Sequence, residues 1–271
     1  MNRIETISEK RKEEIVDKAR ELVKGKVSII SAFCPSNNIP SEAEQVVKSF
    51  LNTQHNFELI LIDNECPKDT MSAIEKIVNN DERVRIVRNL KNTGYSGGFN
   101  DGICNASTDV YLFIESDRVI DPDCVDAVCN DLSLGLFYET FFTKDIVNEI
   151  KERYFLLSEY MQNFNDSNML KLEQYCRCGK GMMDENMFFI PADDDYRRSI
   201  IWSGFDNRKI LNNPAMEKLR KPFGRKYPAI LGTNNKTSPN ADFERFCSQV
   251  SSVGWGYYRA KWNFIDNLGD K

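Results

Sequence analysis

With 271 residues, 41% of them hydrophobic and 28% charged, and a net charge of −5, the chain has ample material for a globular core and no overall attraction for nucleic acid or anionic membrane. No apolar run approaches the ~18 residues of a membrane span, and the opening Asn2-Arg3-Ile4-Glu5 is not a secretory leader, so a cytoplasmic protein is expected. His55 is the sole histidine, which sets aside histidine zinc sites and Ser/His/Asp chemistry and leaves general-base work to a carboxylate or, failing that, to Lys, Tyr or Cys, while eight cysteines without a CxxC pair read as reduced thiols.

Residues 1–25 carry Ile4, Ile7, Ile15, Ala19, Leu22 and Val23 at helical spacing among many charges, which predicts a leading helix that packs on the domain, with a partner or membrane role as the alternative. Val27 to Phe33 reads as a first strand. The loop after it has no GxGxxG, so the usual dinucleotide-binding turn is absent. Ser41 with Glu44 forms a capping box that opens a helix running to Leu51. Phe57 to Asn64 is a second buried strand ending on Asp63, Asp69 to Val78 a helix, and Val84 to Arg88 a third strand. Between that strand and the next lies Asn92-Thr93-Gly94-Tyr95-Ser96-Gly97-Gly98-Phe99-Asn100-Asp101-Gly102. Glycines near a helix start let a ligand approach closely and offer N–H groups to anionic oxygens. Val110 to Ile114 then forms a fourth buried strand that delivers Glu115 and Asp117 at its carboxyl end. In extended chain these two carboxylates point to one side, suited to a hard divalent cation; a solvated acidic turn is the plainer alternative.

This ordered pattern resembles the nucleotide-sugar half of a family 2 glycosyltransferase of the GT-A fold, especially its rhamnosyltransferase-like members, over residues 27–130. The resemblance rests on the Val27-Ser28-Ile29-Ile30 strand, the strand ending near Asp63, the N-x-G-x-x-G-G-x-N segment from Asn92 to Asn100, and a D-x-D-type motif at Glu115-Ser116-Asp117. It implies an α/β, mixed and mostly parallel sheet with helices on both faces. It also implies Asp63 against the nucleotide base, with Ala32, Asn92, Gly94, Gly97, Gly98, Asn100, Glu115 and Ser116 along the nucleotide-sugar. Asp117 and Glu115 would hold Mn2+ or Mg2+. Two departures stand out: the P-x-Y-N after the first strand is missing, and Glu115 replaces the first Asp of the metal motif.

The domain organisation expected is a helix at 1–25, the nucleotide-sugar half at 26–130, and an acceptor-side half at 131–271. Met187-Phe188-Phe189-Ile190 and Ser203-Gly204-Phe205-Asp206 resemble the strand, short helix and G-G-F-D element of the family's acceptor side, which implies roles for Trp202, Gly204 and Asp206. Asp193-Asp194-Asp195 between them reads as a solvated or helix-capping acidic turn, with metal binding as the alternative. Ala241 to Cys247, followed by Gly254-Trp255, resembles the helix that supplies the catalytic base. That implies Asp242, then Glu244, as base, against the plainer reading of an acidic helix start, and Asp266 as a further metal ligand. Residues 134–180 read as helical, their aromatics as core. The 207–240 segment holds eight Lys or Arg against Glu217 alone, a local +7 that leaves −12 elsewhere, and reads either as a solubilising loop or as a flap that clamps diphosphate or draws in a polyanionic acceptor.

The function expected is metal-dependent, inverting transfer of a hexosyl or deoxyhexosyl group from a nucleotide diphosphate sugar to a carbohydrate or other hydroxyl acceptor, nucleic acid included. The rivals are a non-catalytic sugar-nucleotide-binding protein of the same fold and, disfavoured by the missing glycine turn after the first strand, a methyltransferase or nucleotidyltransferase.

Overall fold

The computed structural model describes residues 7–137, 141–162, 183–188, 191–205, 219–220 and 241–267. The first half alternates α1 (Glu9–Leu22), β1 (Val27–Phe33), α2 (Pro40–Leu51), β2 (Phe57–Asp63), α3 (Lys68–Val78), β3 (Val84–Arg88), α4 (Gly94–Asn105) and β4 (Val110–Phe113). There follow β5 (Val119–Ile120), α5 (Cys124–Ser133), β6 (Phe141–Thr143), α6 (Lys144–Gln162), α7 (Ala192–Trp202), β7 (Leu219–Arg220) and α8 (Ala241–Asn267).

Five strands form one sheet in the order β3-β2-β1-β4-β6, parallel except for the antiparallel β6. Residues of β1 and β2 are buried on both alternations, as expected of a parallel sheet covered on both faces. The edge strand β3 is only partly covered and presents Arg85 and Arg88, charges that discourage further strand pairing. After β3 the chain crosses back over β1 to form β4, so the winding direction reverses between β1 and β4. Ligands of open α/β sheets bind at the carboxyl end of such a reversal. This arrangement is the GT-A fold implied by the sequence.

Helix α1 buries Ile15 and Ala19 and is tied to the body by Arg11 to Glu149, Lys18 to Asp145 and Arg20 to the Ser133 carbonyl. The leading helix therefore packs on the domain. Among the described residues no helix is long and apolar enough to cross a membrane.

Local expectations are revised in three places. The capping box at Ser41 does not form, because Pro40 occupies the first helical position and Ile39 precedes it without a side-chain cap. The 134–180 region is not uniformly helical: Phe141 and Phe142 belong to β6, buried with Phe137 and Tyr154, while Tyr138 and residues 163–180 lie outside the described residues. Asp242 and Gly254-Trp255, expected on successive elements, belong to one helix of 27 residues.

Candidate functional site

Two buried asparagines knit the carboxyl ends of the strands together. Asn37, in the loop after β1, accepts the Cys34 N–H (2.9 Å) and the Ser116 hydroxyl (3.1 Å) through Oδ1 and donates Nδ2 to the Ser116 carbonyl. Its own carbonyl accepts the hydroxyl of Thr70 on α3 at 2.7 Å. This cross-link spans the reversal between β1 and β4. Asn64, just past β2, donates Nδ2 to Asn92 Oδ1 and to the Gly94 carbonyl, both at 3.0 Å. Its Oδ1 accepts the Thr93 N–H (2.9 Å), the Thr93 hydroxyl and the Asn89 amide. Neither asparagine figured among the sequence candidates. The only signal was an Asn adjoining a strand end, where burial of a polar side chain demands partners.

Asp63 ends β2 level with Phe33 of β1 and Arg88 of β3, half-buried, and accepts the Cys66 N–H at 3.0 Å. Ala32 is likewise partly accessible at the top of β1. The Glu115–Asp117 pair is arranged differently from the extended geometry expected. The strand stops at Phe113, and residues 115–118 form a turn closed by the Arg118 N–H on the Glu115 carbonyl. Glu115 bends to the Arg118 guanidinium at 2.8 Å, whereas Asp117 turns inward and is 2% exposed. The two carboxylates therefore leave the backbone in separate directions, because a turn breaks the alternation that extended chain would impose.

The glycine-rich segment is also used differently. Its first N–H groups are taken by protein acceptors: Thr93 by Asn64, Gly94 by Asn92 Oδ1 (2.9 Å), and Tyr95 by the Phe188 carbonyl (2.6 Å). A β-carbon at Gly94, which has φ +77°, would lie 2.2 Å from that carbonyl. Gly97 backs onto Thr93, Gly98 onto Ala32 and Asn64, and Gly102 onto Ile30, where a β-carbon would come within 2.2 Å of the side chain. These glycines let α4 sink onto the sheet beneath the crevice and bring the 183–188 segment onto its start. Asn100, fully buried, grips that segment: Oδ1 accepts the Met183 N–H and Nδ2 donates to the Met183 carbonyl, both at 2.9 Å, and to Glu185.

The 183–188 segment, expected to include a strand from Met187 onward, instead forms an irregular strap between α4 and α8; Phe189 and Ile190 lie outside the described residues. Along α4 it touches Asn100, then Ser96, whose hydroxyl donates to the Met187 carbonyl (2.7 Å), then Tyr95. Along α8, Asp184 accepts the Tyr257 hydroxyl (2.9 Å) and Lys261 Nζ (3.1 Å), and the Phe188 ring meets Phe246 edge-on at 5.3 Å. Between these contacts the strap makes a turn closed by the Met187 N–H on the Asp184 carbonyl at 2.9 Å, and it meets α8 in reverse chain order, Asp184 at Tyr257 and Lys261, Phe188 at Phe246. The strap thus brings the amino-terminal end of α8, where Asp242 and Glu244 are located, towards the start of α4.

Asp193, in the first turn of α7, retains solvent contact, yet surrounding protein pushes its carboxyl above the usual range, with like charge from Asp194 and Glu115 adding to the rise. Asp195 departs from the solvated turn expected of it. It is 4% exposed, accepts Lys261 Nζ (2.8 Å) and the Trp262 indole N–H (2.8 Å), and shares that lysine with Asp184. Burial alone would push the Lys261 ammonium down; Asp195, with Tyr154 and Asp184 after it, outweighs burial and holds it well above the ordinary lysine range.

Trp202 stacks near Tyr154 and beneath the Arg153 guanidinium, and Gly204, at φ +91°, ends α7 with its N–H on the Ile201 carbonyl. Asp206 lies outside the described residues, as does the 207–240 segment apart from β7. That strand pairs antiparallel with β5, Arg220 opposite Val119, two residues beyond Asp117. Asp266 is ion-paired with Arg198 of α7 on the exposed side of the α7–α8 contact. Among the described residues no three His, Cys, Asp or Glu side chains form a metal-binding group. A cavity of about 260 Å³ beside Cys104, Ser107, Asp109 and Lys144 lies at the amino end of β4, the wrong end of the sheet for ligand binding.

Comparison with known proteins places this geometry in context. A Haemophilus influenzae protein named as an uncharacterized glycosyltransferase is 31% identical over 103 residues, 38% of this chain and 41% of that one. A second from the same organism, also named as an uncharacterized glycosyltransferase, is 24% identical over 125 residues, covering 43% of this chain and 39% of its own. The chain therefore spans about two fifths of the curated relatives it matches. Among solved structures, Staphylococcus aureus TarS residues 1–349 is similar at TM-score 0.36 and 18% identity, over 41% of this chain and 33% of that one. The family model for glycosyl transferase family 2 matches residues 31–183, more than half of the chain, and the chain belongs to that family.

Proposed function

We propose that this chain transfers a hexosyl or deoxyhexosyl group from a nucleotide diphosphate sugar to an acceptor hydroxyl, with a divalent cation and inversion at the anomeric carbon. The observation that carries the reading is the double cross-link by Asn37 and Asn64, which gathers the loops after β1, β2 and β4 and the start of α4 at the winding reversal. In this reading Asp63 and Asn92 meet the nucleotide, while Ala32 and Ser116 line the crevice between β1 and β4. Asp117 offers carboxylate oxygens, the donors that Mg2+ and Mn2+ take, and Glu115 offers two more on release from Arg118. A cation held by these carboxylates would supply positive charge to offset that of the departing diphosphate.

The base is Asp242 or Glu244, near the amino end of α8. A helix amino terminus favours the ionised carboxylate that a general base must be. The acceptor oxygen bonds to the anomeric carbon as the bond from that carbon to the phosphate oxygen breaks. The hydroxyl proton passes to the carboxylate and the nucleoside diphosphate leaves from the opposite face. Pairing of β7 with β5 anchors the middle of the +7 segment next to the Glu115–Asp117 turn, which supports a polyanionic acceptor.

The test is a thermal-shift panel of UDP-, GDP- and dTDP-linked sugars with and without Mn2+, followed by donor hydrolysis. A sugar nucleotide at ~100 times its Kd adds ~2.7 kcal/mol and raises Tm by several degrees. Binding without hydrolysis or transfer would favour the non-catalytic alternative, and no shift with any donor would remove the assignment.

A further inference from the structure

We propose that Lys261, locked between Asp184 and Asp195, is a positioning residue that holds the amino-terminal turns of α8 in register with the start of α4, acting through the 183–188 strap. The inference rests on the transferase reading above for its consequence in turnover, but not for its structural content.

Three elements meet at the lysine: the strap through Asp184, α7 through Asp195, and α8 itself. Lys261 is 1% exposed and Asp184 and Asp195 are 5% and 4% exposed, so the cluster is sealed from water. Each acid is engaged elsewhere too, Asp184 by the Tyr257 hydroxyl and the Asn186 N–H, Asp195 by the Trp262 indole. An apolar contact tolerates sliding by a fraction of a side chain. A charge bridged between two buried carboxylates does not, since displacing it by about an ångström breaks charge-assisted bonds in a medium of low polarity. Buried ion pairs contribute little net stability relative to apolar replacements, so fixing register is the use this arrangement suits best.

The strap transmits that register. Asp184 sits one residue from Met183, which Asn100 grips by both backbone groups, and the far end delivers the Phe188 carbonyl to Tyr95 and its ring to Phe246. Phe246 is two residues from Glu244 and four from Asp242. Lys261 thus governs a position about five helical turns away, a distance that rules out direct contact with substrate and makes it a positioning residue only.

Hydrogen exchange on the full chain, with turnover of whichever donor the thermal-shift panel identifies, tests this. In Lys261→Met, peptides covering 94–97 and 183–188 are expected to exchange at least tenfold faster, and turnover per folded molecule to fall at least tenfold with donor affinity within twofold. Lys261→Arg, which can still bridge two carboxylates, is expected to recover most of both. Should Lys261→Met fail to fold, Tyr257→Phe, which removes one bond to Asp184, is expected to show the same pattern at three- to tenfold. Faster exchange confined to residues 255–265, or turnover that follows only the folded fraction, would overturn the inference. If the wild-type chain turns over no donor while the exchange coupling is seen, the transferase reading fails and the strap linkage stands.

Discussion

Asn64 holds Gly94 from two sides: its Nδ2 donates to the Gly94 carbonyl at 3.0 Å, and also to the Asn92 Oδ1 that accepts the Gly94 N–H. One side chain at the end of β2 therefore sets the backbone of the turn that opens α4. Asn64→Leu leaves Thr93 N–H and its hydroxyl without that acceptor in a half-buried setting, at ~1–3 kcal/mol for each group stranded. We expect a Tm fall of roughly 5–10 °C, read by calorimetry, and loss of nucleotide-sugar stabilisation in the shift assay. A variant that keeps full donor response would show that the turn geometry is irrelevant to binding.

Gly102 shows the second demand that packing makes on this segment. A methyl there would approach Ile30 Cγ2 to 2.2 Å, with the rest of that side chain close behind. Gly102→Ala is expected to destabilise by ~1–3 kcal/mol through overpacking. Ile30→Ala opens a cavity and destabilises as well, but it removes the clashing atoms. The double variant should therefore lose clearly less than the sum of the two single losses in a denaturant cycle. Additive losses would mean that α4 shifts away from the sheet instead of compressing against it.

The same two residues show where sequence reasoning reaches and where it stops. Strand hydrophobicity and the carboxylates that follow the strands were legible because burial and periodicity write them locally, whereas the strand order, and with it the reversal in winding, is set by non-local pairing. The glycines were legible as a close approach, but not which partner approaches: Ile30, Phe188 and Thr93 occupy space that a ligand was expected to fill. Asp195 looked like its neighbours, the exposed Asp193 and the partly exposed Asp194, because helical phase alone sends it inward, and Lys261 lies 66 positions further along the chain. Glu115 and Asp117 diverge because a four-residue turn replaces extended chain, a choice made by tertiary contacts of Ser116 with Asn37.

At the amino end of the sheet, Glu58 is 6% exposed between β1 and the turn before β4. Burial pushes its carboxyl up, but the Ser107 hydroxyl and N–H, the Ser28 hydroxyl and Lys26 outweigh it and leave the group below the usual glutamate range. A carboxyl lowered on folding binds protons more readily when unfolded. Its stabilisation is complete above the unfolded glutamate value of ~4.3 and is lost as pH falls through the lower folded value. Stability measured in urea should therefore drop across that acidic window in the wild type, and Glu58→Gln should be less stable at neutral pH with a shallower acid slope. An unchanged slope would place the acid sensitivity in other carboxylates.

Asp117 and the acids of α8 serve different steps in the proposed transfer, and that difference can be measured. Asp117 is enclosed at the reversal, so Asp117→Asn keeps the volume while removing the charge that a divalent cation requires. Calorimetry with Mn2+ should then show at least a tenfold loss of metal-dependent donor affinity, with turnover falling in parallel. Asp242→Asn and Glu244→Gln should leave donor affinity within twofold, because neither takes part in holding the diphosphate. Whichever is the base should lose at least a hundredfold in turnover, in line with the ~10²–10⁴ that a positioned base supplies. The other should stay near wild type. If both variants turn over undiminished, the proton leaves by another route, and Asp193, whose raised affinity for protons suits it to accept one, becomes the next carboxylate to replace.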